Sequence, residues 1–418
     1  MSDPRAVIEA LWRIESPRLI AALARIVGDL GVAEELAQEA FVAALEQWPT
    51  SGLPDKPGAW LMSIARRRAI DHLRRKQRLL DKSERLGRQQ AVQQEESGDA
   101  FEAAGEEIKD SLLRLIFTAC HPVLTREAQV ALTLRLLGGL TTEEIARAFL
   151  TTAPTIAQRI TRAKRTLAAA RVPFEVPAGS ELADRLASVL EVIYLIFNEG
   201  YAATAGEDWM RPELCNDALR LGRMLAELAP TEPEVHGLVA LMELQASRMR
   251  ARVGKDGAPV LLLDQDRSRW DRLLIRRGLA ALEQAQSLGS ALGPYALQAE
   301  IAACHARARR AEHTDWERVV ALYDALAQLT RSPVVELNRA VAVAMALGPA
   351  AGLELVDRLT DDTSLEGYHL LPSVRGNLLV KLGRTDEARA EFVRAAAMTR
   401  NERERSLLMR VAAGSGGE

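Results

Sequence analysis

The stretch TTEEIARAFLTTAPTIAQRITRAKRTLAAAR, residues 141–171, reads as two short helices joined by a tight turn. Thr141 or Thr142 can cap the first helix, with Glu143 and Glu144 in its first turn, where carboxylates favour the positive helix end. Leu150-Thr151 is the turn. Thr152 caps the second helix, and Pro154 sits in its first turn, where a missing N–H costs nothing. Ile145, Ala146, Phe149, Ile156 and Ile160 bury against each other, and the small Ala146 lets the helices cross closely. This is a helix-turn-helix pattern, whose second helix enters the major groove. Its outward positions are Thr155, Gln158, Arg159, Arg162, Lys164 and Arg165. Hydroxyl and amide groups come first and cations follow, an order that suits base edges near the helix start and phosphates beside it. The competing reading is an amphipathic helix with a solvated, arginine-rich face.

Working outward, composition limits the fold. The chain has 418 residues and a net charge of −3, so a DNA site must be a local basic patch set against acidic material elsewhere. Aromatics are only 4% and apolar residues 48%, rich in Ala and Leu, which favours an all-α protein over one with a large sheet. Cys120, Cys215 and Cys304 are widely spaced and form no CxxC, so neither a metal nor a disulfide framework is expected. Cys120-His121 and Cys304-His305 are helix neighbours, and neighbours point apart. The N-terminus lacks an apolar leader, and no run of about 18 apolar residues occurs, so a cytosolic protein without membrane contact is expected.

A second basic helix lies upstream. Helices are expected over residues 5–48, broken near Gly28 and Gly31. The first has Leu19, Ala22, Leu23, Ile26 and Val27 on its apolar side, and the second Leu36, Ala40, Phe41, Ala44, Leu45 and Trp48. TSGLPDKPG (50–58) reads as a loop. AWLMSIARRRAIDHLRRKQR (59–78) reads as a third helix, apolar at Trp60, Leu61, Ile64, Ala65 and Leu73. Its later part, RRRAIDHLRRKQR, holds seven Arg and Lys against Asp71. Cations beside a Gly/Pro loop flanked by Trp48 and Trp60 suit single-stranded or melted DNA. For each ring taken alone, a place in the core is the simpler reading. Residues 81–110 carry seven carboxylates between Glu95 and Asp110 and read as an acidic, flexible linker.

Together these segments resemble an extracytoplasmic-function sigma factor of bacterial RNA polymerase. GVAEELAQEAFVAALEQW (31–48) resembles the region-two segment that docks on the polymerase clamp. PGAWLMSIARRRAIDHLRR (57–75) resembles the −10 recognition helix. LTLRLLGGLTTEEIARAFLTTAPTIAQRITRAKRTL (132–167) resembles the region-four helix-turn-helix, which reads the −35 element. The resemblance implies core RNA polymerase (β′ clamp and β flap) and promoter DNA as partners, and neither enzymatic activity nor a cofactor. It implies that Glu34, Glu35, Gln38 and Glu39 face the clamp. Trp60, Arg67, Arg68, His72, Arg74 and Arg75 would serve the −10 strand, and the loop 50–58 would hold a flipped base. Thr155, Gln158 and Arg159 become base-edge candidates, and Arg162, Lys164 and Arg165 phosphate contacts. The expected domains are region two at 1–80, the linker at 81–110, region four at 111–172, a Pro-rich linker at 173–180 and a helical extension at 181–418.

That extension reads as helix after helix, punctuated by Gly and Pro, as in an α-solenoid. In RGNLLVKLGRTDEARAEFVRAAAMT (375–399), Gly376, Leu379, Gly383, Ala388, Phe392 and Ala395 fit a tetratricopeptide repeat, and residues 338–359 are a looser relative. With YLIFNEGY (194–201) and LLLDQDRSRWD (261–271), the tail resembles a sigma-factor subgroup with a fused tetratricopeptide-like domain, which implies a regulatory role. The cluster Asp264, Asp266, Arg267, Arg269, Trp270 and Asp271 has two readings, a ligand or partner site or a set of caps and salt bridges, and the pair Glu199/Tyr201 has the same two. The function class that competes with a sigma factor is a helix-turn-helix regulator with a ligand-sensing tail.

Overall fold

The computed structural model describes residues 4–84, 103–254, 258–289 and 291–414. The central part of the acidic segment, 85–102, lies outside the described residues. The chain divides into two compact units, Met1–Val192 and Ile193–Glu418. Helices dominate both, and the strands among the described residues are two residues long.

The first unit begins with α1 (Pro4–Val27), α2 (Leu30–Ser51) and α3 (Pro57–Glu84). Gly28 ends α1 at φ +70°, a conformation that glycine adopts without strain. Asp29 then caps α2, its carboxylate accepting from the Gly31 and Val32 amides. Leu19, Ile20 and Leu23 of α1, Leu36, Ala40 and Phe41 of α2, and Leu61, Ala65 and Ala69 of α3 are buried. The alanines let the helices approach closely, which explains how so few aromatics suffice. The expected loop at 50–58 is shorter, because α2 runs through Ser51 and α3 starts at Pro57. Leu45 departs from its expected apolar face and is exposed.

The unit continues with α4 (Ala103–Ala119), α5 (Arg126–Leu136), α6 (Thr142–Ala148), α7 (Ala153–Ala169) and the first half of α8 (Ser180–Tyr201). That half is tied to the α4–α5 pair. Arg185 donates to the Phe117 carbonyl at 2.9 Å and Ser188 to the Cys120 carbonyl at 3.2 Å, and Arg126 pairs with Glu191.

The second unit holds the rest of α8, then α9 (Pro212–Leu228), α10 (Pro233–Ala246), α11 (Arg272–Leu288), α12 (Pro294–Arg307), α13 (Trp316–Thr330), α14 (Pro333–Leu347), α15 (Pro349–Leu359), α16 (Leu370–Lys381), α17 (Thr385–Met398) and α18 (Glu402–Ala412). Helices next to one another in sequence pack together, and the apolar interior forms successive clusters rather than one centre. That is how a repeat array distributes its core. Small residues set the helix spacing. A Cβ added to Gly237 would lie 2.7 Å from the Ala296 amide, and one on Gly376 would lie 2.9 Å from the Phe392 ring. The chain end returns to the start of this unit. Asn401 donates its side-chain amide to the carbonyls of Ala203 (3.1 Å) and Asp208 (2.8 Å), beside the short parallel strands Ala205–Gly206 and Arg400–Asn401.

His305 of α12 is buried with its edge toward Trp316, ring centroids 5.2 Å apart, and its Nδ1 has no hydrogen-bond partner. Burial, helped by Arg248 and Arg267, pushes its pKa down from 6.5 to about 3. The native state thus keeps this ring neutral where the unfolded chain protonates it. Stability is fully present above pH 6.5 and falls as the pH drops toward 3, at up to about 1.4 kcal/mol per pH unit. His305→Phe keeps the ring contact and removes the titration. Its thermal unfolding is expected to depend less on pH between 6.5 and 5 than that of the parent chain, and an identical dependence would contradict the assignment.

Candidate nucleic-acid and polymerase interface

The α6–α7 pair forms as its capping residues dictate. Thr141 and Glu144 make a capping box: the Glu144 amide donates to the Thr141 hydroxyl at 3.1 Å, and the Thr141 amide donates to the Glu144 carboxylate at 2.8 Å. Thr152 caps α7 by accepting from the Thr155 amide at 3.3 Å, and Pro154 lies in the first turn. Leu150 carries the turn between them at φ +48°. Ile145, Ala146, Ile156 and Ile160 are buried, and the Thr151 amide donates to the Ala146 carbonyl at 2.9 Å.

The outer face of α7 is open. Ala157, Gln158, Thr161, Arg162 and Arg165 line a shallow depression of about 320 Å³. Thr155, Gln158, Arg162 and Arg165 are exposed, and none of the two arginines' ion pairs with carboxylates occurs among the described residues. Arg159 is half-buried. The Glu127 carboxyl is held below its ordinary pKa by its own backbone amide at the start of α5 and by the Thr125 hydroxyl, with a smaller contribution from Arg159. Lys164 does not join the open face. It turns toward the first helices and pairs with Glu34.

Glu34 lies in α2 and is only 4% exposed. One oxygen accepts from Arg135 Nε at 2.6 Å and from Gln38 Nε2 at 3.0 Å, and the other pairs with Lys164. Burial by itself would raise this carboxyl's pKa. The attraction of Lys164 and Arg135 outweighs it and holds the pKa below 4.5, so the group is ionised at neutral pH. Further contacts join the same segments. Trp12 donates its indole N–H to the Gly139 carbonyl at 3.0 Å, and Arg13 pairs with Glu144 at 2.5 Å. Gly139 sits at φ +70°, where an added Cβ would lie 3.1 Å from the Arg13 Cα.

The other acidic residues of α2 point outward. Glu35 is exposed, and Glu39 pairs with Arg68 of α3 at 2.8 Å. Val42 and Leu45, one and two turns further on, are 49% and 44% exposed. These four residues make one strip on α2, acidic at its start and apolar toward its end. The apolar half is not evident from sequence, because the helical period places Leu45 with the core face.

On α3, Arg67, Arg74 and Arg75 are exposed and His72 is half-buried. Arg75 also donates to the Asp71 carbonyl at 3.3 Å. Trp48 is buried, and Trp60 meets it edge-on with centroids 5.3 Å apart and remains half-buried. Trp48 is therefore a core ring, and Trp60 is the ring that stays partly open to solvent.

In the second unit the acidic-basic cluster divides. Asp266 accepts from the Ser268 amide and hydroxyl, and Asp271 caps α11. Arg267 is buried, donating to the His305 and Ala308 carbonyls at 2.7 Å each and to Thr314 at 3.2 Å. Trp270 is buried beneath it, 5.0 Å from the Arg267 guanidinium. Asp264 and Arg269 are exposed. Glu199 pairs with Arg211 and accepts from the Thr204 hydroxyl at 2.9 Å. Arg252 stacks on the Tyr201 ring at 3.5 Å. The three cysteines are buried and unpaired, and no group of ligating side chains that could hold a metal occurs among the described residues. No helix among them is long and apolar enough to cross a membrane.

Comparison with known proteins agrees with this layout. The family model for Sigma-70 region 2 matches residues 11–79, which cover most of α1 to α3. That for Sigma-70 region 4 matches residues 114–167, from within α4 to near the end of α7. A family of unknown function, DUF6596, matches residues 185–286. Over 390 residues the chain is 46% identical to Uncharacterized protein R00370 of Rhizobium meliloti, covering 93% of this chain and 91% of that protein. It is 30% identical over 158 residues to the ECF RNA polymerase sigma factor SigK of Mycobacterium ulcerans, covering 36% of this chain and 78% of that protein. It is also 30% identical over 183 residues to the probable ECF RNA polymerase sigma factor SigI of Mycobacterium tuberculosis, covering 43% of this chain and 60% of SigI. No solved structure matches the chain significantly. The two matched sigma regions, in order on one chain, do not favour a lone helix-turn-helix regulator. The chain belongs to the extracytoplasmic-function sigma factors of the sigma-70 family.

Proposed function

We propose that the chain directs core RNA polymerase to promoters through its first unit, and that its second unit regulates this activity. The observation that carries the reading is the open α7 face of Gln158, Arg162 and Arg165 on the same unit as the basic α3. Two DNA-binding helices on one polypeptide suit two promoter elements. In this reading Thr155, Gln158 and Arg159 meet base edges of the −35 element, and Arg162 and Arg165 meet phosphates, whereas Lys164 is turned away to Glu34. Trp60, Arg67, Arg68, His72, Arg74 and Arg75 hold the −10 strand, where charge tracks the backbone and a ring can stack on an unpaired base. The α2 strip docks on the basic β′ clamp: Glu35, Gln38 and Glu39 offer charge and amide groups, Val42 and Leu45 offer apolar area, and Glu34 joins them once it is uncovered. Region four engages the β flap. The second unit, an array of helices with successive apolar clusters, serves as a protein- or ligand-binding regulator.

Glu35→Lys tests the docking. Glu35 is exposed, so the substitution leaves the fold intact while opposing the clamp's charge. Core polymerase is expected to retain much less of the variant than of the parent chain on co-purification, with the helical content of the two chains equal. Equal retention would overturn the α2 strip as the docking face.

A further inference from the structure

The second unit gathers five arginines around Trp270. Arg250, Arg269 and Arg272 are exposed and, with Ser268, Trp270 and Asp271, line a depression of about 600 Å³. The guanidiniums of Arg267 and Arg248 stand 5.0 and 5.9 Å from the centre of the Trp270 ring. None of the five forms an ion pair with a carboxylate among the described residues. The carboxylates beside them are already engaged. Asp271 accepts from the Leu273 and Leu274 amides, and Asp266 from the amide and hydroxyl of Ser268. Donors are left over as well. Trp270 is 3% and Arg267 7% exposed, and neither the Trp270 Nε1 nor the Arg267 Nε has an acceptor; the covered Arg248 Nε has none either. Indole and guanidinium N–H groups only donate, so nothing but an acceptor satisfies them. A buried donor without an acceptor and a buried cation without a counter-charge both cost stability, which a bound anion restores. Burial first, and then the like charge of Arg248, push the Arg267 pKa down, an effect that an opposing charge reverses.

We propose that this cluster is the ligand site of the second unit, and that it takes a compact multivalent oxyanion, a phosphate ester or a polycarboxylate. The inference rests on reading the second unit as a ligand-binding regulator, and it names the ligand's chemistry. The guanidinium fork matches the paired oxygens of phosphate and carboxylate alike. The depression has the volume of a small-molecule site. Arg250, Arg269 and Arg272 supply the charge at its surface, the Ser268 hydroxyl adds a neutral donor, and Arg248 and Arg267 add positive potential from beside Trp270. A compact anion held by the arginines avoids the carboxylates of Asp266 and Asp271, which an extended acidic peptide would meet along its length.

Isothermal titration calorimetry of the full chain tests this, with pyrophosphate and citrate as separate probes at constant ionic strength. At least one is expected to bind at a single site, and which one binds tells phosphate chemistry from polycarboxylate chemistry. Arg250→Ala combined with Arg269→Ala removes two exposed donors and is expected to weaken that binding about thirtyfold. Arg358→Ala combined with Arg389→Ala removes the same charge from exposed positions elsewhere in the second unit and is expected to leave the binding unchanged. Should the first pair lose helical content, Arg272→Ala alone is expected to weaken binding about fivefold. No heat with either probe, or an equal loss in both double variants, overturns the site. Tighter binding of a hexaglutamate peptide than of both small anions overturns the compact-anion assignment in favour of a peptide. The regulatory reading is judged separately, by transcription with core polymerase. A probe that binds and leaves transcript yield unchanged removes that reading while the site stands.

Discussion

Replacing Arg162 and Arg165 together by alanine is expected to weaken promoter binding by the polymerase-bound chain roughly thirtyfold at 0.15 M salt, and to reduce the slope of log affinity against log salt by about two. Both side chains are exposed on the α7 face and line its depression with Gln158. Neither supports the fold: the buried positions of α7 are Ile156, Ile160, Ala163 and Leu167. The loss should be similar for different promoters, because phosphate contacts carry no sequence information. Gln158→Ala should behave differently, changing promoter preference with little change in salt slope. A double variant with a promoter-selective defect and an unchanged slope would contradict the division of α7 into reading and anchoring positions. Salt titration of promoter binding, followed by fluorescence anisotropy, measures both quantities.

Phe392→Ala is expected to destabilise the second unit by about 3–5 kcal/mol, the usual loss for a buried aromatic ring whose space cannot refill. Phe392 is 2% exposed, and its ring stands against Gly376 with Leu379, Ala388 and Ala395 around it. The glycine makes the room and the ring fills it, so α16 and α17 lose the residue that sets their separation. For a unit of this size the midpoint of thermal unfolding should fall by roughly 10 °C. Phe392→Leu, which keeps most of the volume, should cost much less. If calorimetry of the full chain shows the same transitions for Phe392→Ala and the parent, the ring is not the packing centre that its burial indicates.

What sequence made legible was mostly local. The Thr141 and Thr152 caps, Pro154 and the Ile145–Ile160 apolar set act within one or two turns, so helix periodicity exposes them directly. The same holds for the Gly376–Phe392 pair, because a tetratricopeptide unit places its partners at fixed short spacing. Contacts that join distant segments left no such trace. Nothing in the spacing of Glu34, Arg135 and Lys164 announces a shared ion contact, and from sequence Lys164 groups with the phosphate-facing Arg162 and Arg165. Leu45 fits the apolar period of α2 but lies at its outer edge, where the three-helix core ends. In the tail, Asp266 and Asp271 are local caps, one of the two readings their sequence allowed. Arg267 reaches across 38 residues to the His305 carbonyl, a contact that only the folded array creates. The earlier repeats hid their period because each pair uses different small residues: Gly237 against Ala296, Gly278 against Leu244, Gly352 against Ala344.

The most direct measurement is run-off transcription with purified bacterial core polymerase and the full chain, on a pool of genomic templates from the source organism. The expected result is initiation at discrete sites that share two short upstream elements, absent with core polymerase alone and lost when α7 carries both arginine substitutions. Transcription that starts at the same places with and without the chain, or that never depends on it, would contradict the assignment of the first unit to promoter selection.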